Sequence, residues 1–129
     1  MTRTILLADD NDDHRFLTRR ALAPLCAEAG AELLLARDGQ EALDVLRARS
    51  VDLLLLDIKM PRLTGFEVLA ALRDERIEPR PRVVMLSSSE HAQDVDQALA
   101  LGADDYVTKS MDPRAFRDAV VAAARRHLR

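Results

Sequence analysis

Three acidic positions and one lysine stand where they could carry metal or phosphoryl chemistry together. Asp9 and Asp10 follow a short apolar segment, Asp57 follows a second, and Lys109 follows a third. Carboxylates held close together repel one another, so they bind protons or share a cation. Oxygen ligands at a partly open site favour Mg²⁺, which keeps water molecules for a phosphate. An aspartate at the end of a buried strand is then placed to act as a nucleophile.

Each of these residues also has a purely structural interpretation. An aspartate or a serine after a strand often forms a turn or caps a helix, as Ser87 could, and Asp12 or Asp13 is expected to be such a cap. Only two of the 19 cationic residues are lysines, Lys59 and Lys109. A compact ammonium does not replace a forked guanidinium, so these two lysines are candidates for a role beyond solvation.

The elements that must position these residues alternate along the chain. Short apolar runs predict five strands, at 4–8, 32–36, 51–56, 82–86 and 105–107. The segments between them have helical spacing, as in Leu17, Ala21 and Leu25 of the first helix. Five strand–helix units predict an α/β fold, a doubly wound parallel sheet with right-handed crossovers. Ligands bind such sheets beyond the carboxyl ends of the strands, and the acidic positions, Ser87 and Lys109 fall there.

Composition excludes several classes of protein. Apolar residues make up 48% of the 129 and charged residues 32%, which argues against disorder. A net charge of −3 is unsuited to sequence-independent nucleic-acid binding, and the longest apolar run, 119–124, is too short to span a membrane. The single Cys26 allows no intrachain disulfide. We expect one cytoplasmic domain over residues 1–129, with its core at 4–128 and no output domain. Three histidines are predicted to be exposed: His14, His91 and His127.

Four motifs together resemble the receiver domain of two-component response regulators. They lie at residues 5–10, at 53–61 with Gly65, at 83–87 and at 102–109. The resemblance extends from Thr4 to Leu128. It implies the flavodoxin-like sheet order 2-1-3-4-5 with five helices, and a switch that is controlled by phosphorylation of an aspartate.

The resemblance also implies a phosphoacceptor and a metal site. Asp57 matches the aspartate that becomes the aspartyl phosphate. Asp10 and Asp57 match direct Mg²⁺ ligands, with the main-chain carbonyl of Lys59 as a third ligand and Asp9 acting through water. The side chain of Lys59 is also placed where it could shield or crowd an attacking water.

Three further positions match residues that respond to the phosphoryl group. Lys109 matches the lysine that pairs with it, Ser87 the hydroxyl that hydrogen-bonds it, and Tyr106 the aromatic switch; packing at the sheet edge is the alternative for Tyr106. The family usually has a proline after the lysine, joined by a cis peptide, and this chain has Ser110. A cis bond before another residue costs about 3–4 kcal/mol, so the position of Lys109 does not follow from its identity. Since its loop is short and fixed at both ends, we expect the cis form.

The resemblance implies partners as well. The phosphoryl group would come from a sensor histidine kinase or a phosphotransfer protein, and the signal would leave through the last two helices and the fifth strand. The stretch from Leu86 through Asp112 resembles the small regulators paired with bacterial phytochromes, which makes a bacteriophytochrome a candidate kinase. The downstream protein is unknown, and a homodimer stays open. The protein is not expected to be an enzyme beyond its own phosphorylation and dephosphorylation.

Three other functions are alternatives for the same residues. A pseudo-receiver would bind partners without phosphorylation, and a metal titration would distinguish it. A flavodoxin-like flavin binder needs a first loop that accepts a phosphate, which the four aspartates within residues 9–13 would repel. An aspartate-nucleophile phosphatase needs a second acid two residues after the nucleophile, where Lys59 stands.

Overall fold

The computed structural model describes residues 2–88, 92–109 and 112–128 of the chain. Within them, five strands and five helices alternate. Their bounds are β1 Arg3–Ala8, α1 Asp12–Ala29, β2 Ala31–Ala36, α2 Gly39–Ala48, β3 Leu53–Asp57, α3 Gly65–Asp74, β4 Arg82–Ser87, α4 Ala92–Ala100, β5 Asp105–Thr108 and α5 Pro113–His127.

The five strands form one parallel sheet in the order β2-β1-β3-β4-β5, which confirms the predicted fold and strand order. The third strand begins at Leu53 and ends at Asp57, whereas the sequence predicted 51–56. The strand begins at Leu53 because the paired residues start there, with Ile5 of β1 and Arg82 of β4 as its partners. The carboxylate of Asp52, just before the strand, accepts a hydrogen bond from the Thr4 amide at 2.7 Å. The end moves because Asp57 is still paired with Leu86 of β4.

Two apolar cores lie on opposite faces of the sheet. Successive side chains of a strand point to opposite faces, so β3 sends Leu54 and Leu56 to one core and Leu53 and Leu55 to the other. The first core packs beneath α2, α3 and α4, and the second beneath α1 and α5. All four leucines are fully buried, and each contributes about 1.5–3 kcal/mol relative to an exposed side chain. Burial on both faces is what the continuous apolar run predicted.

The buried face of α1 shares Leu25 with the predicted one, but its other two residues lie one position further along the chain than Leu17 and Ala21. The structure buries Thr18, Leu22 and Leu25, whereas Leu17 is 47% exposed and Ala21 is half-buried. The positions 18, 22 and 25 are a regular helical stripe, but it begins with a polar residue. A count of apolar residues cannot recognise a threonine on the buried face, and this is why the prediction failed.

Local polar contacts correct three further expectations. Asn11, rather than Asp12 or Asp13, caps α1, because its side chain accepts from the His14 amide at 3.0 Å while the two aspartates lie in the first turn. His14 and His127 are half-buried instead of exposed. The ring of His127 contacts Asp105 at 3.1 Å.

Several sequence features lie beyond the reach of the structure. The third histidine and the Lys109–Ser110 peptide bond fall outside the described residues, as do residues 89, 90 and 111 of the phytochrome-regulator resemblance. Among the described residues, no helix combines the length and the apolar character that a membrane crossing requires.

Candidate functional site

Polar side chains meet at the edge of the sheet formed by the carboxyl ends of the strands. Asp9 directly follows β1, Asp57 is the last residue of β3, and Lys109 directly follows β5. Backbone hydrogen bonds prolong the strand pairing to these positions: the Asp9 amide donates to the Ala36 carbonyl at 3.1 Å, and the Lys109 amide to the Ser87 carbonyl at 2.7 Å. The hydrogen bonding of the sheet therefore fixes the backbone positions from which these side chains extend.

One buried ammonium joins two buried carboxylates. Lys109 Nζ lies 2.9 Å from Asp9 Oδ2 and 3.0 Å from Asp57 Oδ2, and its side chain is only 9% exposed. The third carboxylate, of Asp10, is exposed, and oxygens of all three aspartates lie within 4.8 Å of one another. The structure thus brings together Asp9, Asp10, Asp57 and Lys109, as the sequence predicted.

The charges of this cluster do not balance, because three carboxylates face one ammonium. Burial, and to a lesser degree the neighbouring Asp9, raises the pKa of Asp57 to about 6, although Lys109 opposes the shift. Burial alone would lower the pKa of Lys109, but the charges of Asp57 and Asp9 outweigh it and hold that pKa above its usual value. At neutral pH the lysine is therefore charged and Asp57 is ionised at a cost.

The donor set fits a hard divalent cation. The three candidate ligands are carboxylates, whose oxygens Mg²⁺ prefers, and the exposed Asp10 leaves one side open to water. Asp9 already uses its other oxygen, Oδ1, to accept from the Asn11 amide at 3.0 Å, and this bond fixes its orientation. An additional positive charge would relieve the imbalance among the three carboxylates.

The other three predicted site residues are Ser87, Lys59 and Tyr106. Each lies at or within three residues of the carboxyl end of a strand, and they differ in how exposed they are. Ser87 is the last residue of β4 and is 1% exposed, beside β3 in the sheet. Lys59 follows Asp57 by two residues and its side chain is exposed. Tyr106 lies in β5, half-buried, and packs against the first core. Their positions agree with the sequence motifs, and the roles of all seven residues stay predictions.

Arg15 also contacts this site, although no sequence pattern predicted it. Its Nη1 donates to the Asp9 carbonyl at 2.9 Å, its other nitrogen pairs with Asp12, and its side chain is 14% exposed. Arg15 therefore braces the turn between β1 and α1. In a chain where nearly every cation is an arginine, neither its type nor its spacing distinguishes it from surface arginines.

Comparison with known proteins identifies relatives over nearly the whole chain. The model of the response regulator receiver domain family matches residues 5–121. The transcriptional regulatory protein CpxR of Escherichia coli (strain K12) is 38% identical over 122 residues, which are 95% of this chain and 49% of that protein. The chain spans about half the length of the curated relatives it matches.

Solved structures give the same result. The phosphorylated cyanobacterial phytochrome response regulator RcpA superposes with a TM-score of 0.90 at 31% identity, covering 99% of this chain and 95% of that one. The Mn²⁺-bound form of response regulator Rcp1 superposes with a TM-score of 0.81 at 28% identity, covering 95% and 91% of the two chains.

Proposed function

This chain belongs to the response regulator receiver domain family, and on that premise we propose that it is a switch controlled by phosphorylation of Asp57. The observation that carries the proposal is the contact of Asp57 with Lys109 at 3.0 Å inside a cluster of three carboxylates. A structural carboxylate needs no such surplus of negative charge around it. A carboxylate that accepts a phosphoryl group beside a bound cation needs neighbouring carboxylates, because these bind the cation.

The proposed chemistry is the transfer of a phosphoryl group to Asp57. A carboxylate oxygen of Asp57 attacks the phosphorus of the donor, the bond to the donor's leaving group breaks, and an aspartyl phosphate forms. The ammonium of Lys109 neutralises part of the negative charge on the transferred group, and the Ser87 hydroxyl donates a hydrogen bond to it. Tyr106 adjusts its packing to the new state. On this account the protein catalyses only its own phosphorylation and dephosphorylation.

The metal of the proposal is Mg²⁺. Asp10 and Asp57 would hold it directly together with the main-chain carbonyl of Lys59, and Asp9 would act through water. When bound, the ion supplies positive charge to the oxygens of the transferred phosphoryl group. Support comes from the carboxylate cluster and from the similarity to Rcp1, whose structure contains Mn²⁺.

The proposed partner is a sensor histidine kinase or a phosphotransfer protein, and a phytochrome kinase is the first candidate. Support comes from the similarity to RcpA, a phytochrome response regulator.

The proposed output surface, through which the signal reaches a downstream protein, is formed by α4, β5 and α5. On it, Leu99 of α4 is 50% exposed and offers an apolar contact to a downstream protein.

The test is phosphorylation by a small donor such as acetyl phosphate with Mg²⁺, measured by intact mass. Wild-type protein should gain one phosphoryl group, Asp57→Asn none, and Asp105→Asn, a control at the opposite edge of the sheet, one. Excess chelator should suppress the reaction. Full labelling of Asp57→Asn would falsify the assignment, and a wild-type protein that binds neither Mg²⁺ nor phosphoryl groups would favour the pseudo-receiver.

A further inference from the structure

We propose that Gly39, the first residue of α2, is a positioning residue for the candidate site because it holds the loop that follows Asp57. This loop, residues 58–64, joins β3 to α3 and is called the β3–α3 loop below. The inference rests on the proposed function, in which the main-chain carbonyl of Lys59, within this loop, binds Mg²⁺. Gly39 precedes the phosphoacceptor by 18 positions and belongs to a different element.

The contact between Gly39 and the loop leaves no room for a side chain. A Cβ at this position would lie 2.1 Å from the carbonyl oxygen of Leu63, 2.7 Å from its carbonyl carbon and 2.6 Å from its Cβ. Two of these atoms are backbone, so they move only if the loop moves. The φ of Gly39 is outside the left-handed region, where the glycines with positive φ are Gly30 and Gly102. Glycine is therefore needed here for space and not for its conformational freedom.

The base of the loop is fixed independently. The Gly65 amide donates to the Ile58 carbonyl at 2.8 Å, which closes the loop at its two ends. A Cβ on Gly65 would lie 2.3 Å from the carbonyl oxygen of Asp57, so α3 packs directly on the backbone of the phosphoacceptor. The ends of the loop therefore cannot follow a displacement of its far side.

The far side has little freedom of its own. Arg62 is in the left-handed region with φ 68°, a conformation that an arginine keeps only when its surroundings impose it. Its Nε lies 3.6 Å from Asp38 Oδ2, and Asp38 is the N-cap of α2, accepting from the Glu41 amide at 2.8 Å. The Leu63 side chain packs against the first core. The start of α2 thus clamps the loop at Arg62 and Leu63.

Because the β3–α3 loop is held both at its base and at Arg62 and Leu63, a substitution at position 39 should displace the residues between these two points. If the Leu63 carbonyl is pushed away while the base stays in place, the strain falls on Lys59, Met60 and the residues up to Arg62. Mg²⁺ requires nearly ideal octahedral geometry, so a small shift of the Lys59 carbonyl weakens binding. Changes at residues that orient metal ligands typically cost about 10–100-fold in affinity.

The experiment compares Gly39→Ala with Gly30→Ala. The control adds the same methyl group where nothing lies within 4 Å but φ is 64°, so it strains the backbone without touching the loop. Mg²⁺ affinity is measured by calorimetric titration of each folded protein, and the amide shifts of residues 58–63 are recorded in chelator. Gly39→Ala should bind Mg²⁺ about 10-fold more weakly or worse and shift the Lys59 and Met60 amides, whereas Gly30→Ala should do neither.

The possible failures are distinguishable. Wild-type protein that binds no Mg²⁺ contradicts the proposed function. Wild-type protein that binds it, with folded Gly39→Ala matching its affinity and its amide shifts, contradicts the role of Gly39 alone. If Gly39→Ala does not fold, it and the wild-type protein are both measured in trimethylamine N-oxide, an osmolyte that favours the folded state without loosening the loop. Equal Mg²⁺ affinities of those two proteins would also overturn the proposal.

Discussion

The two edges of the sheet both carry aspartates and use them in opposite ways. At the edge formed by the amino ends of the strands, each carboxylate accepts from a backbone amide of its own: Asp52 from Thr4 at 2.7 Å, Asp104 from Val83 at 2.8 Å and Asp105 from Tyr106 at 2.8 Å. Burial alone would raise the pKa of Asp105, but Arg126, the Tyr106 amide and His127 outweigh it and hold that pKa below its usual value. These aspartates stabilise the fold.

At the edge formed by the carboxyl ends, Asp9 and Asp57 share a single lysine, and Asp10 adds a third carboxylate. The pKa of Asp57 rises to about 6, the reverse of the shift at Asp105. An aspartate at a strand end is therefore ambiguous by itself. The balance of donors and charges around it distinguishes a reactive carboxylate from a structural one.

The largest difference between the edges should appear when their cations are removed. Lys109→Gln leaves buried carboxylates without a counter-charge, and we expect a loss of about 3 kcal/mol in the free energy of unfolding at pH 7.5 in chelator. Arg126→Gln removes an exposed cation and should cost less than about 1 kcal/mol. Urea unfolding measures both. Equal losses would mean that the two edges do not differ in the way described.

Neutralising an aspartate should change stability in opposite directions at the two edges. Because the pKa of Asp57 in the folded protein, about 6, lies above its ordinary value of 3.8, its ionised form costs stability at neutral pH. Asp57→Asn should therefore stabilise the protein in chelator at pH 7.5, by up to about 3 kcal/mol, and the gain should disappear as pH falls from 6 towards 4. Asp105→Asn should destabilise the protein at pH 7.5. Destabilisation by both variants contradicts the account.

The smallest expected effect concerns Thr18, a buried polar residue that carries no charge. Its substitution should change the free energy of unfolding independently of pH, in contrast to the substitution of Asp57. Thr18 is 1% exposed, and its hydroxyl has no hydrogen-bond partner in the described part of the chain. Thr18→Val keeps the shape and removes the hydroxyl, so we expect a gain of about 1 kcal/mol in the free energy of unfolding. This gain should be the same at pH 5 and pH 7.5, unlike that of Asp57→Asn. A loss of stability would show that the hydroxyl is satisfied in solution.

The sequence was sufficient for the parts of the molecule that repeat a simple pattern. Buried parallel strands read as continuous apolar runs, so all five strands were found, and the strand ends then located Asp9, Asp57 and Lys109. The strand order came from the family resemblance, since periodicity does not determine which strands are neighbours.

The parts that depend on distant contacts could not be found in this way. Thr18 is buried because α1 lies on the second core, although its residue type suggests exposure. His127 is half-buried because Asp105 lies within 3.1 Å. The clash that excludes a side chain at Gly39 involves a backbone atom 24 residues further along the chain. No local pattern encodes these three environments.

The carboxyl titrations of Asp57 and Asp105 test the central contrast most directly. Side-chain ¹³C NMR of the unphosphorylated protein in chelator follows both groups in one sample, so ionic strength and temperature are identical for the two. The account predicts that Asp57 titrates near pH 6 and Asp105 below the usual value of an aspartate. If Asp57 titrates at or below the pH at which Asp105 does, the two edges carry equivalent carboxylates, and the charge imbalance proposed for the site is contradicted.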